Sequence, residues 1–297
     1  MKIGNPSSLN DTQPNVEQFD VNGRTYSALV AGEGPTVLCL HGFPDTYHSF
    51  RKQVPALVAQ GYRVVCPVMP GYEESSLKAD NRYSIDYVSD EIIALTRAVS
   101  RDPVHLVGHD WGAITGYAAA AKAPELFASL TTLTIPHNML GPSLVVRAPR
   151  QASYSWYIAF FQLRGISERI MARNNFALID KLYRDWSPSW AVPSEQLTAI
   201  KNVLAKPRLK AAALGYYRSI FSLTGFKLLG GTIKVPSLLL QGNEDGCIHR
   251  KSWAMIRSNA FKNGLSVQQV NAGHFLHIEK PDAVNALLLA HLNAHRA

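Results

Sequence analysis

Short apolar runs alternate along the chain with segments in which apolar residues recur every three or four positions. The runs are Pro35 to Leu40, Arg63 to Val68, Val104 to Val107, Leu130 to Ile135, Val235 to Leu240 and Leu265 to Val270. Their β-branched and Leu content and their brevity predict buried strands. Between them Val88, Ile92, Leu95 and Val99 form a stripe at helical spacing, as do Val284, Leu288 and Leu292 near the carboxyl end. Such alternation predicts a mostly parallel sheet covered by helices, an α/β architecture.

From Asn138 to about Gly230 the pattern changes. No strand-like run occurs there, and Pro-broken helical stretches rich in aromatics dominate, including Ser153 to Leu163 and Gln196 to Tyr217. The expected division is therefore a core of residues 1–138 and 231–297 with a helical cap, residues 139–230, inserted after the Leu130 to Ile135 strand. Gly230-Gly231 and Lys234-Val235-Pro236 return the chain to the sheet.

Composition narrows the function. A chain of 297 residues with 46% hydrophobic residues can bury a large core. Residues 1 to 10 lack the apolar stretch of a signal peptide, and no later run approaches a membrane span, so a soluble cytoplasmic protein without membrane association is expected. Cys39 and Cys66 sit in apolar runs as small hydrophobes, and neither a disulfide framework nor a metal site is expected. The net charge of +8 is spread over scattered Lys and Arg, with modest density at Arg147 to Arg150 and Lys206 to Lys210, which argues against nucleic acid as a partner.

Gly108-His109-Asp110-Trp111-Gly112 follows a predicted strand and precedes the small-residue helix Ala113 to Ala120. An aspartate in such a place is ordinarily a helix cap. Glycines on both sides point instead to a sharp strand-to-helix elbow that strains Asp110 and displays it above the sheet. A carboxylate there attacks carbon while already ionised and leaves an ester on the enzyme. Leu238 to Asp245 ends a strand in a polar turn, which makes Asp245 the candidate orienting acid. Val270-Asn271-Ala272-Gly273-His274 delivers an imidazole to the same edge, and His274 is the candidate base that activates water against the ester. His277 is expected to pack or cap, since His-x-x-His without a carboxylate is a poor metal signal. The turn His41-Gly42-Phe43-Pro44 can aim the Phe43 N–H, with that of Trp111, at the oxyanion formed when water attacks.

Taken together these segments resemble the α/β-hydrolase-fold epoxide hydrolases over nearly the whole chain. The resemblance implies the α/β-hydrolase fold, no cofactor, and two cap tyrosines that hold and protonate the epoxide oxygen: Tyr157 within Tyr154 to Gln162 and Tyr217 within Leu214 to Arg218. Its substrates are a small apolar epoxide and water. His41, Pro44, Trp156 and Phe161 are candidate substrate contacts, and Trp156, Phe160, Phe161, Trp186, Trp190 and Phe221 together suggest an aromatic pocket wall. One segment departs from the family. Where it reads Asp-x-Arg-Gly-x-Gly-x-Ser, this chain has Val68-Met69-Pro70-Gly71-Tyr72-Glu73-Glu74-Ser75, without the Asp and Arg.

Haloalkane dehalogenases resemble the chain in fold and nucleophile, and Trp111 stands where one of their halide-binding tryptophans would. They usually carry Asn or Glu at the place of Phe43. Fluoroacetate dehalogenases share His-Gly-Phe-Pro but have an Asp-Arg elbow, whose arginine is replaced here by Trp111. A non-catalytic ligand-binding protein is a third reading, against which the intact set Asp110, Asp245 and His274 counts. The oligomeric state is not legible from the sequence.

Overall fold

A computed structural model describes residues 14–137 and 150–296; the predicted beginning of the cap and the amino-terminal decapeptide lie outside the described residues. The chain opens with β1 (Asn15–Val21) and β2 (Arg24–Ala31), paired antiparallel. These two strands were not among the runs expected from the sequence. Their signal is the Asn22-Gly23 dipeptide, whose positive φ values of 51° and 73° make the two-residue hairpin turn.

The α/β alternation then follows as expected: β3 (Thr36–Leu40), α1 (Val54–Val58), β4 (Arg63–Pro67), α2 (Ile85–Val99), β5 (Val104–His109), α3 (Trp111–Lys122) and β6 (Phe127–Leu133). After the helical segment described below come β7 (Ser237–Gly242), β8 (Leu265–Val270), α11 (Leu276–Glu279) and α12 (Pro281–Ala294). All eight strands form one sheet in the order β1-β2-β4-β3-β5-β6-β7-β8, parallel from β4 through β8.

Alternate strand residues supply two cores, one on each face. Leu38, Leu40, Val65, Leu106 and Leu239 face α2 and α3, while Val37, Cys39, Val64, Cys66, Leu238 and Leu240 face α1 and α12. This is why the strands read as continuous apolar runs. Both predicted helical stripes are buried, with Val88, Ile92, Leu95 and Val99 in the first core and Val284, Leu288 and Leu292 in the second. Ser84 caps α2 by accepting a hydrogen bond from the Tyr87 N–H at 3.2 Å.

Between β6 and β7 the described residues are helical: α4 (Arg150–Tyr154), α5 (Trp156–Phe161), α6 (Ile166–Ala172), α7 (Ala177–Trp186), α8 (Ser194–Ala205), α9 (Pro207–Arg218) and α10 (Leu223–Leu229). The stretch Gln196 to Tyr217 is two helices, because Lys206, the residue before Pro207, is extended at φ −78°, ψ 118°. No helix among the described residues is long and apolar enough to cross a membrane.

Candidate active site

The parallel strands bring four loops to one edge of the sheet. β3 and β5 are neighbours, as are β7 and β8, so the residues just past Leu40, His109, Gly242 and Val270 converge there. Asp110 sits at φ 51°, ψ −115°, a conformation that costs a non-glycine residue of order 1–3 kcal/mol. The flanking glycines explain how the turn is possible. A Cβ on Gly108 would lie 2.4 Å from the Gly112 carbonyl oxygen, and one on Gly112 would lie 2.1 Å from that of Leu40.

Asp110 Oδ1 accepts a 2.7 Å hydrogen bond from the Phe43 N–H, and its Oδ2 lies 3.6 Å from His274 Nε2. On the far side of the imidazole, Nδ1 is 3.0 Å from Asp245 Oδ2. Asp245 Oδ1 in turn accepts from the Cys247 and Ile248 N–H groups at 2.7 and 2.9 Å, which fixes the carboxylate. The three residues named from the sequence thus form one chain of contacts, and Phe43 points its amide where expected. Trp111 begins α3, so its N–H has no partner within the helix.

Electrostatics follow from this sandwich. Burial alone would push the His274 pKa down, but the carboxylates of Asp245 and Asp110 outweigh it and raise it to about 10. Burial likewise opposes ionisation of Asp110, yet the His274 contact holds that carboxyl below its ordinary value. His109 lies beneath the pair, its Nε2 3.0 Å from the His274 carbonyl oxygen. Burial drives its pKa down to about 3, so it is a neutral brace. His277 packs on Phe50 and bonds Ser49 Oγ at 2.7 Å, in keeping with its expected packing role.

Tyr157 and Tyr217 both come down over Asp110, their rings 5.7 Å apart and nearly perpendicular. Burial first, then nearby negative groups, hold both hydroxyls well above the ordinary phenol range, so they remain protonated donors. They are not equivalent. The Tyr157 hydroxyl meets Cys247 Sγ at 3.3 Å, whereas that of Tyr217 is turned toward the Trp111 side chain.

The cavity they roof over Asp110 measures about 30 Å³, room for one or two waters. A larger groove of about 690 Å³ touches the outer side of Asp245 but does not reach Asp110. Besides Trp111, Tyr157 and Tyr217, the wall of the small cavity is mainly aliphatic, with Ile114, Ile135, Ile158, Ile220, Leu229 and Ile248. None of the candidate substrate contacts His41, Pro44, Trp156 and Phe161 lines this cavity, and neither do Phe160, Trp186, Trp190 and Phe221. Helical periodicity turns Tyr157 and Phe161 inward while Trp156, 40% exposed, and the partly buried Phe160 turn away. Phe161 is inside but packs behind the tyrosines, 5.0 Å from the Tyr217 ring and 5.6 Å from Phe43. Phe221 is 68% exposed, and Trp186 packs on His274 at 5.1 Å.

His41 and Pro44 hold the turn after β3 and do not line this cavity. His41 Nδ1 faces the Gly42 carbonyl at 3.0 Å and its Nε2 accepts from the Met69 N–H at 3.1 Å, which leaves no ring nitrogen free. The Pro44 carbonyl accepts from the Tyr183 hydroxyl at 2.8 Å. The unusual Val68 to Ser75 loop is held by the same kind of contact: Tyr72 meets His41 edge-on at 4.9 Å, the Pro70 carbonyl accepts from Tyr216, and Glu73 accepts from the Ser27 N–H.

Cys247 is the functional neighbour that sequence reasoning missed, and nothing local marks it beyond its place two residues after Asp245. With Asp245 and His274 it offers donor atoms within 4.8 Å of one another, but each already serves a hydrogen bond within the site.

Residues 35–281 match the family described by the alpha/beta hydrolase fold, and the chain belongs to that family. An AB hydrolase superfamily protein of Bacillus subtilis, YfhM, is 30% identical over 283 residues, covering 92% of this chain and 96% of that one. Mouse epoxide hydrolase 4 is 29% identical over 97% of this chain and 82% of its own length. Among solved structures, that of a Bacillus megaterium epoxide hydrolase in complex with an inhibitor superposes with a TM-score of 0.80 at 25% identity, covering 93% of this chain and 100% of that one.

Proposed function

We propose that this protein is an epoxide hydrolase that opens a small apolar epoxide to a vicinal diol through an ester on Asp110. The observation that carries the reading is that both tyrosines, their hydroxyls held in the protonated form, line the same cavity as the Asp110 carboxylate. A phenol donor there stabilises the alkoxide that forms as the ring opens and so lowers the barrier.

In the first step Asp110 Oδ2, the oxygen not held by Phe43, attacks an epoxide carbon while the C–O bond breaks and Tyr217, helped by Tyr157, gives the alkoxide its proton. Esterification removes the negative charge of Asp110, so one of the two carboxylates that keep His274 protonated is gone. Its pKa falls and its proton restores the tyrosine through the solvent of the site. Neutral His274, oriented by Asp245, then takes a proton from water as that water attacks the ester carbonyl. The oxyanion at Oδ1 is received by the N–H groups of Phe43 and Trp111; on collapse the departing oxygen takes the remaining proton of the attacking water, which releases the diol and leaves Asp110 ionised beside protonated His274, as at the start.

The cavity volume adds a requirement. An epoxide larger than a water or two enters only as the helical segment shifts, and we assign residues 139–230 the role of a cap over residues 1–138 and 231–297 on that ground. The test is to measure diol formation and halide release side by side on a panel of small apolar epoxides and haloalkanes. Diol without halide is the expected result. Halide from haloalkanes with no diol from epoxides would replace this reading with that of a dehalogenase and make Trp111 the residue to examine.

A further inference from the structure

Seven large apolar side chains stand exposed among the described residues, and five of them, Trp156, Leu163, Ile166, Ile170 and Phe221, belong to the helical segment. Leu163, Ile166 and Ile170 lie at and just before α6, and Phe221 shares a groove with Arg164 and Arg218 beside them. Arg218 ties the two stretches together through the Phe161 carbonyl and Ser167 Oγ.

The same segment carries the charge. Residues 150–229 hold twelve Lys and Arg against four Asp and Glu, a net +8, which equals the net charge of the entire chain; the remainder is balanced. The basic excess of the chain thus resides in this one continuous segment. Arg164, Arg169 and Arg173 are interleaved with the exposed Leu163, Ile166 and Ile170 and are themselves exposed. None of the three is ion-paired among the described residues, and the one acid beside them, Glu168, is taken by Arg218 at 2.8 Å.

We propose that this face of the helical segment docks on an anionic lipid surface. Exposed apolar side chains beside unpaired cations are what a peripheral membrane contact requires, since the former enter the headgroup boundary while the latter meet lipid phosphates. A second copy of the chain fits less well, because it would bring +8 against +8. A phosphate backbone has no use for exposed Leu and Ile. Helix α5 links the two sides, with Trp156 outward and Tyr157 inward over Asp110. If the epoxide reading holds, an apolar substrate dissolved in lipid is presented to the moving helices that cover the cavity; the docking itself stands independently of that reading.

The full chain is sedimented with vesicles of phosphatidylcholine alone and of phosphatidylcholine mixed with phosphatidylglycerol. It is expected to bind only the anionic vesicles and to be released by high salt. Arg164→Gln, Arg169→Gln and Arg173→Gln together should weaken binding about a hundredfold, at roughly fivefold for each cation near the surface. Ile166→Ser, Ile170→Ser and Phe221→Ser together should weaken it by at least about tenfold at unchanged net charge. Thermal melts of both variants check folding. The proposal fails if the parent ignores anionic vesicles, if neither triple variant is weakened, or if only the arginines matter. It also fails if the apolar triple instead breaks a dimer seen by sedimentation velocity.

Discussion

Asp110→Asn is expected to lose diol formation by at least about a thousandfold, because a neutral amide cannot form the ester on which the proposed reaction runs. The substitution is well suited to isolating chemistry from folding. Asn retains an Oδ1 that can accept the Phe43 N–H at the same place, and the elbow geometry depends on Gly108 and Gly112 rather than on the charge. What disappears is the ionised nucleophile and one of the two negative groups that raise His274. Activity should be measured on freshly purified protein, with intact mass confirming that the amide has not reverted to the acid. A near-parental rate under those conditions would remove Asp110 from the nucleophile's role.

Tyr217→Phe is expected to slow epoxide opening by about ten- to a thousandfold, Tyr157→Phe similarly, and the double variant to be almost inactive, in line with general-acid contributions. The structure makes these substitutions mild for folding. Tyr217→Phe removes one oxygen and keeps the ring, and Tyr157→Phe leaves only a cysteine sulfur, a weak hydrogen-bonding group, without its neighbour. Both rings stay packed on Phe161 and on each other. Because the Tyr157 hydroxyl is engaged with Cys247 Sγ, the larger loss should fall on Tyr217→Phe. A double variant that melts like the parent and opens epoxides at its rate would show that these hydroxyls take no part.

The parts of this molecule that could be read from its sequence are those with a local cause. Strands β3 to β7 announce themselves because both faces of each are buried, which favours a largely apolar run, whereas the edge strand β8 shows itself only by Leu265, Val267 and Val270 among polar residues. Asp110, Asp245 and His274 are legible because each follows such a run directly, and a parallel sheet gathers all its carboxyl ends at one edge. The first hairpin escaped attention because β1 is largely exposed and its residues, Asn15 to Val21, are mixed in polarity; only Asn22-Gly23 betrays it. Pro207 marks a break that the apolar spacing from Gln196 to Tyr217 hides.

The cavity wall was illegible for a different reason. Which side chains face Asp110 depends on the rotation of each helix about its own axis and on how the helical segment lies against the sheet. A run such as Ser155-Trp156-Tyr157-Ile158-Ala159-Phe160-Phe161 offers aromatics on every side. The structure selects Tyr157 and Ile158 for the cavity, places Phe161 behind them and leaves Trp156 exposed. The aliphatic residues that complete the wall come from as far apart as Ile114 and Ile248, and no local pattern joins them.

The account turns on a covalent ester at Asp110 that only a neutral His274 can clear, and His274→Gln separates the two steps. Epoxide added to this variant should still alkylate the enzyme, since ester formation needs no base, while hydrolysis of the ester stalls. Intact-protein mass spectrometry is predicted to show the parent mass plus one epoxide, and peptide mapping to place the added mass on Asp110. A variant that is folded and binds the epoxide, yet stays inactive without ever accumulating that adduct, would contradict the account.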